Sequence, residues 1–422
     1  MTARRSDKLA IHGGPPVRVK PFNTAKGMGY LDEEEIRAAT EVLRSRSLFR
    51  YYGPDLLKKV EAFEHSLEEL IGCKHAIGVS SGTAALQCGL VGLRVQAGDE
   101  VIVPAVTFIA TVGVVVNARA VPVFAEVDES LNLDPVSFEA NITEKTKAVI
   151  PVHLSNVPCD MDGIMAVAKK RGIKVLEDAA QAIGVRYKGR YAGTIGDAGA
   201  FSLQLDKNIT SGEGGAIVTD DWEVYDRAVR YQDQGGQFTT SKGEVRDHTS
   251  AEPFIGVNLR MNEIAGAIAE VQVGRLPEMI AAMRERARSI RSRLGDLPVE
   301  WRRIPDEEGE GGNLTMLFET PHRATEFAEA LRAEGIPAGK VYGGRPVYMN
   351  PAVLGQRTPW DRGAPFASSE FPTDRRYYPG LCPRSEDLLA RSMSVALGPQ
   401  LDDEDENDIV RAVRKVAEHL LT

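Results

Sequence analysis

Cysteine is scarce in this 422-residue chain: there are four, at Cys73, Cys88, Cys159 and Cys382, and no two form a CxxC pair. Such spacing supplies neither a disulfide framework nor a zinc site. The seven histidines contain no HxxxH or HxH pair, so the usual signature of a metal centre is missing. Positive charge never gathers into a block. The 51 Lys and Arg are scattered among 60 Asp and Glu for a net charge of −9, which excludes a basic stripe that tracks nucleic-acid phosphates. Long apolar runs are also absent. The most apolar stretches, Val112–Val116 and Ala148–Leu154, fall far below membrane-spanning length. The opening residues MTARRSDKLAIHGGPP hold two arginines but no apolar run behind them, which does not make a secretory signal. The cytoplasm is the expected location. Neither internal repeats nor low-complexity tracts occur.

What is present is an ordinary soluble balance, 43% hydrophobic and 26% charged residues, in a chain long enough for two domains. Between about residues 72 and 220, short apolar runs alternate with helical patterns. His75–Ser80, Glu100–Pro104, Val121–Val127, Ala148–His153, Ile173–Glu177 and Gly214–Thr219 read as buried strands. Thr83–Leu93, Thr107–Asn117, Val136–Asn141 and Asp160–Arg171 read as the helices between them. Strand–helix–strand alternation predicts a mainly parallel sheet in an α/β fold. Helices are also predicted over Asp32–Arg44 and Asp55–Ile71, and Asn262–Arg293 as one or two long helices. After a polar, glycine-rich break near Pro305–Gly312 the pattern turns α+β. Strands are expected at Thr315–Thr320 and Ser392–Leu397, helices at Ala324–Glu334 and Asp403–Leu420, and loop from about 345 to 380. A division into a large domain (1–275) and a smaller α+β domain (276–422) is expected.

Four motifs follow in chain order, each suited to one part of a phosphorylated pyridine aldehyde. In VSSGTAAL, a strand ends and Gly82 and Thr83 open a helix whose free N–H groups and dipole attract an anion. A Ser/Thr cap on a tight turn is the bland alternative. In PAVTFIAT, Phe108 stands at a helix start where its ring could stack on a flat cofactor, or else fill the core. In VLEDAAQAIG, Asp178 follows a strand at the carboxyl edge of the sheet, where open α/β sheets bind ligands. A carboxylate there holds a pyridine nitrogen protonated, although a helix N-cap competes; Gln181 lies within reach of a ring hydroxyl, and Glu177 faces the other way. In FSLQLDKNITSGEGG, Lys207 precedes a GEGG turn, and Ser202 lies five residues before it. A lysine amine whose pKa is lowered by burial is what imine formation needs.

On these residues the chain resembles the DegT/DnrJ/StrS family of sugar and aminocyclitol aminotransferases. The likeness runs from about Tyr51 to Ile264 through SSGTAAL, PAVTFIAT, AEVDESLNLD, PVHLSN, LEDAAQAIG, GDAGAFSLQLDKNITSGEGG and GVNLRMNEI, and more loosely to the C-terminus. The resemblance implies the aspartate-aminotransferase-like fold type I of pyridoxal 5′-phosphate (PLP) enzymes. It implies Gly82, Thr83 and Ser202 as phosphate ligands, Phe108 as the stacking ring and Asp178 as partner of the pyridine nitrogen. It further implies Gln181 near the ring hydroxyl, Lys207 as the Schiff-base lysine, and Asn258 as a ligand to the phosphate of the other subunit of a homodimer with shared active sites. The chain departs from common members in reading Gln204 where many carry histidine, and Leu259 where many carry tyrosine.

The implied reaction is transfer of an amino group from L-glutamate or L-glutamine to a keto-sugar or keto-cyclitol, with Arg260 and His153 as candidate substrate contacts. For His153 a satisfied core histidine is the equal alternative. Two other functions stay open. One is a PLP- or PMP-dependent sugar dehydratase, although relatives that resemble the 3-dehydratases carry histidine where this chain has Lys207. The other is a non-enzymatic PLP-binding regulator, although residues 1–50 lack a DNA-binding pattern.

Overall fold

The computed structural model describes residues 8–235, 254–360 and 363–421. Seven strands form the central sheet: β1 (His75–Val79), β2 (Glu100–Pro104), β3 (Val121–Ala125), β4 (Thr146–Val149), β5 (Lys174–Asp178), β8 (Ala198–Ser202) and β9 (Gly215–Thr219). Their order is β1-β9-β8-β5-β4-β2-β3. Every pairing from β8 through β5, β4 and β2 to β3 is parallel, and β9 alone runs against its neighbours. A short hairpin, β6 (Arg186–Tyr187) with β7 (Arg190–Tyr191), stands apart.

The sheet is parallel because its strands are apolar on both sides. In β2, Val101 and Val103 pack with Leu86 and Val112, whereas Ile102 packs on the other face with Phe138 and Ile164. Helices therefore cover both faces, as a parallel sheet requires. They are α3 (Gly82–Gly92), α4 (Ile109–Asn117) and α7 (Trp222–Gln232) on one side, and α5 (Pro135–Ala140) and α6 (Met161–Arg171) on the other. Before the sheet come α1 (Glu33–Ser45), which carries a capping box of Asp32 with Glu35, and α2 (Lys59–Ile71). The second of these starts four residues later than Asp55, because Lys58 takes a left-handed φ of 57°.

The helix α8 (Glu263–Arg293) is one continuous element with Pro277 inside it. Its first half packs Val273 and Leu276 against Val60 and Phe63 of α2. Its last turns place Ala287 and Ile290 in a separate core beneath a second, antiparallel sheet. Residue 275, the expected domain boundary, lies inside this helix. The second sheet contains β10 (Glu300–Trp301), β11 (Leu314–Leu317), β12 (Ala338–Gly339) and β13 (Ser392–Val395), ordered β10-β11-β13-β12. It is covered by α9 (Pro321–Ala333) and α12 (Asp403–Leu420). The Pro/Gly-rich region from 345 to 380 is mostly irregular but contains the single turn α10 (Pro351–Leu354), and α11 (Pro383–Arg391) follows it. The strand β8 and the helices α7 and α11 were not expected from sequence. Among the described residues no helix is long and apolar enough to cross a membrane.

Candidate active site

The strands β1, β2, β5 and β8 run the same way, so their carboxyl ends open onto one edge of the sheet. Ser81 follows β1 and caps α3 by accepting a hydrogen bond from the Ala84 N–H at 3.1 Å. Phe108 follows β2 at the N-cap of α4. Asp178 ends β5, Ser202 ends β8, and Lys207 lies just beyond. All converge on a cavity of about 700 Å³ whose wall includes Gly82, Thr83, Phe108, Asp178, Gln181, Ser202 and Lys207. A wider surface groove of about 930 Å³ between α1, α2 and α8 shows no such convergence; charged side chains such as Arg37, Lys59 and Glu270 line it.

Asp178 is buried, with Oδ2 accepting from the Thr111 hydroxyl at 2.8 Å and Oδ1 from the Ala180 N–H at 3.1 Å. No helix begins at Asp178, so the N-cap alternative falls away and the carboxylate is free to face the cavity. Burial pushes its pKa up; the Thr111 and Ala180 bonds and the charge of Lys207 oppose that rise without cancelling it. Lys207 is shifted in the complementary sense. Burial lowers its pKa from the ordinary lysine value, against the opposing charges of Asp178 and Asp206. Lys26, a residue that no sequence motif marks, sits close enough that burial and Lys207 together push it down to about 8. The Gly27 N–H beside it bonds the Lys207 carbonyl at 3.1 Å.

Gly82 and Ser202 meet. A Cβ at position 82 would stand 2.7 Å from the Ser202 Cβ and 3.1 Å from its Oγ, so only glycine lets strand end and helix start close up. The first N–H groups of α3 have no intrahelical partner by position. Ser81 serves only the third of them, which leaves those of Gly82 and Thr83 directed at the cavity edge. Phe108 is 58% exposed and lines the cavity, so it is not a core ring. Gln181 accepts from the Ser155 N–H at 3.3 Å and donates from Nε2 to the Tyr342 hydroxyl at 2.8 Å. Gln204 turns inward to accept from the Asp206 N–H at 3.0 Å and also lines the wall.

Three expected residues lie elsewhere. Asn258 is exposed and outside the cavity wall of its own chain, with Oδ1 accepting from the Arg260 N–H at 3.3 Å. Arg260 is not a wall residue either. It pairs with Asp233 at 2.6 Å and lies over the Phe49 ring, 5.1 Å from its centroid. His153 is a core histidine rather than a substrate contact. Its Nδ1 accepts from the Cys159 N–H at 3.0 Å, so Nε2 carries the proton and donates to Glu177 at 2.9 Å. Glu177 also receives the N–H groups of Gly193, Ile195 and Gly196. Burial alone would raise its pKa, but these donors hold the carboxyl below the ordinary range. The residues that sequence motifs missed are Thr111, Ser155, Val341, Tyr342 and Ser394, all on the cavity wall. Thr111 stands three residues after Phe108 in PAVTFIAT, and Ser155 lies within PVHLSN; Val341, Tyr342 and Ser394 carry no local signal.

A model of the DegT/DnrJ/EryC1/StrS aminotransferase family matches residues 30–414. The chain is 33% identical over 395 residues to the spore coat polysaccharide biosynthesis protein SpsC of Bacillus subtilis, covering 92% of this chain and 95% of that protein. It is 35% identical over 290 residues to GDP-perosamine synthase of Escherichia coli O157:H7, covering 68% of this chain and 76% of that protein. Among solved structures it resembles an aminotransferase from Psychrobacter cryohalolentis with a TM-score of 0.79 and 29% identity, over 95% of this chain and 100% of the other. With motif order, sheet topology and cavity in agreement, the chain belongs to the DegT/DnrJ/EryC1/StrS aminotransferase family and has the α/β fold of PLP-dependent aminotransferases.

Proposed function

We propose that this protein is a PLP-dependent aminotransferase, working as a cytoplasmic homodimer, that moves an amino group from L-glutamate or L-glutamine to the keto group of a sugar or cyclitol. The observation that carries the proposal is the convergence of Lys207 and Asp178 on one cavity at the carboxyl edge of β8 and β5. The similarity to a polysaccharide biosynthesis protein and to GDP-perosamine synthase supports a sugar acceptor. The proposed division of labour sets the sheet of 1–275 as cofactor platform and the 276–422 part as the wall that selects substrate.

The residues suit the cofactor. Asp178, buried and incompletely compensated, suits a protonated ring nitrogen. The α3 N-terminus with Gly82, Thr83 and Ser202 suits a phosphate. The exposed face of Phe108 suits a flat ring, and Gln181 suits a ring hydroxyl. When bound, PLP supplies an electron sink for the pair left on a substrate carbon after it loses a proton. The protein's own work is binding and proton transfer. Lys207 Nζ, uncharged at lower pH than an exposed lysine, takes the proton from the α-carbon of the amino donor and later delivers one to the aminated acceptor. Asp178 keeps its negative charge against the cofactor throughout, and Asn258 is assigned to the phosphate site of the second subunit.

The test begins with reconstitution. Added PLP should give a visible absorbance band that Lys207→Ala lacks. A screen of keto-sugars and cyclitol ketones with L-glutamate and L-glutamine should then yield an aminated product by mass, lost by about 10²–10⁴-fold in Lys207→Ala. Loss of a hydroxyl without gain of nitrogen would make the protein a dehydratase and end the aminotransferase proposal.

A further inference from the structure

The cavity has one wall that none of the cofactor-binding motifs supplies. The C-terminal part contributes Val341, Tyr342 and Ser394 to it, and none of the three carries a charge. Tyr342 is the largest. It sits in a turn (Val341–Gly344) where Tyr342, Gly343 and Gly344 all have left-handed φ, at 46°, 64° and 76°. A tyrosine adopts that conformation only where its surroundings impose it. Here Lys340 does so from the residue before the turn, its Nζ bonded to the carbonyls of Pro321 at 3.2 Å and Ala390 at 2.9 Å. The turn is thus held to the body of the second sheet, and the Tyr342 ring is delivered to Gln181 as a fixed part.

The hydrogen-bond directions at that contact are determined. The Ser155 N–H donates to Gln181 Oε1, which identifies the oxygen end of the amide. The other end, Nε2, can only donate, and it donates to the Tyr342 oxygen. That contact uses the phenol as an acceptor. Its own hydrogen is not consumed there, and among the described residues no acceptor takes it. A tyrosine hydroxyl is already neutral near pH 7, and desolvation at the cavity wall with the charge of Asp178 moves its pKa further up, so the group stays a neutral donor.

We propose that Tyr342 is a specificity-determining residue for the keto acceptor: its phenolic hydrogen, spared by Gln181, donates to an oxygen of the hydroxylated ring that enters the cavity. This rests on the aminotransferase function proposed above. A neutral donor beside the uncharged Val341 and Ser394 matches a polyhydroxy ketone. It does not match the carboxylates of an amino-acid donor, which call for a cation. Tyr342 therefore discriminates between the two substrates that share the cavity.

The test separates the two half-reactions of the PLP-loaded enzyme in the Tyr342→Phe variant, which keeps the ring and removes only the hydroxyl. The probes are L-glutamate, read by 2-oxoglutarate release in a single turnover, and, separately, a nucleotide-linked 4-keto hexose and a polyhydroxylated cyclohexanone. The variant should raise KM for the accepted ketone about tenfold while changing the L-glutamate step less than about twofold. An acceptor analogue lacking the hydroxyl that Tyr342 recognises should lose about tenfold with the native enzyme and nothing further with the variant. Equal losses in both half-reactions, or no loss in either, would overturn the inference and leave the aminotransferase function standing. If the native enzyme aminates neither ketone while releasing 2-oxoglutarate, the acceptor class is wrong and this inference goes with it. If it releases neither 2-oxoglutarate from L-glutamate nor 2-oxoglutaramate from L-glutamine, the aminotransferase function itself has failed.

Discussion

Asp178 and Lys207 perturb one another across a shared cavity. The carboxylate strengthens the hold of the amine on its proton, while burial weakens that hold by more. The amine in turn lowers the pKa of a carboxyl that burial has raised. In each group the neighbour's opposite charge works against burial, and burial prevails.

The first prediction concerns pH and Lys207. Only the neutral amine captures an aldehyde, and the folded pKa of Lys207 lies below the ordinary 10.5. Capture of PLP by the cofactor-free protein should speed up with rising pH and level off below 10.5. In Asp178→Asn, loss of the negative charge should move the plateau to still lower pH. Stopped-flow absorbance at a series of pH values measures both, and a plateau that moves to higher pH would contradict the pairing.

The second prediction concerns stability. The folded pKa of Asp178 is raised above its unfolded value of about 3.8, so its ionisation opposes folding. The cost is full above the folded pKa and vanishes as pH falls below the unfolded one. Asp178→Asn keeps one oxygen to accept from the Ala180 N–H, and its NH₂ can donate to the Thr111 hydroxyl, whose own hydrogen turns to Thr107 at 2.7 Å, so the cofactor-free variant should melt at a higher temperature than native protein near pH 7. The gain should disappear in acid. Activity should nevertheless fall at least about a hundredfold. Thermal melts across pH together with turnover assays decide it.

Gly82→Ala should spare the fold and damage the phosphate end of the site. Its Cβ would press on Ser202 at 2.7 Å, so strand end and helix start must move apart. PLP affinity should drop about tenfold while far-ultraviolet circular dichroism stays native. Unchanged affinity by titration would remove Gly82 and Ser202 from the site.

Glu177→Gln should do the reverse. The carboxylate satisfies His153 and three backbone N–H groups in a fully buried place. An amide there must turn its NH₂ toward at least one donor, at a cost of about 3 kcal/mol. Denaturant unfolding should show that loss, while the turnover of the folded fraction stays near native.

Asn258 lies outside the cavity of its own chain, so the proposed role at the phosphate requires a second copy. Light scattering should give twice the mass of one chain. Asn258→Ala and Lys207→Ala proteins, each impaired alone, should regain activity when unfolded and refolded together, because the mixed dimer contains one intact site. A monomer, or no complementation, would end the shared-site proposal.

The central sheet and the residues that meet at its carboxyl edge were legible in the sequence because their signals are local. Val101–Val103 is apolar on both faces, and Gly82, Phe108, Asp178 and Lys207 each sit at a strand end beside recognisable turn chemistry. The strand β8 escaped notice because Ala-Gly-Ala-Phe-Ser has little strand preference of its own; Gly199 is there because a Cβ would strike the Gly193 carbonyl at 2.1 Å. Tyr342 and Ser394 gave no sign, since their place on the wall depends on how the second sheet docks, which no short window of sequence encodes. His153 was ambiguous for the same reason: its role is decided by the Cys159 N–H and by a carboxylate 24 residues away.

The alternation at the end of β5 has a consequence for how this chain can fail. Glu177 and Asp178 are neighbours that look to opposite sides, one clamped by the 193–196 backbone and one open to the cavity. A slip of one residue against β4 and β8 that carries Glu177 to the place of Asp178 would put Leu176 where Glu177 stands. Such a molecule would still hold a carboxylate near Lys207, but it would have lost the acceptor for the Gly193, Ile195 and Gly196 N–H groups. Accurate threading of a single strand is thereby a precondition of chemistry, and misthreaded material would betray itself by early melting before any assay was run.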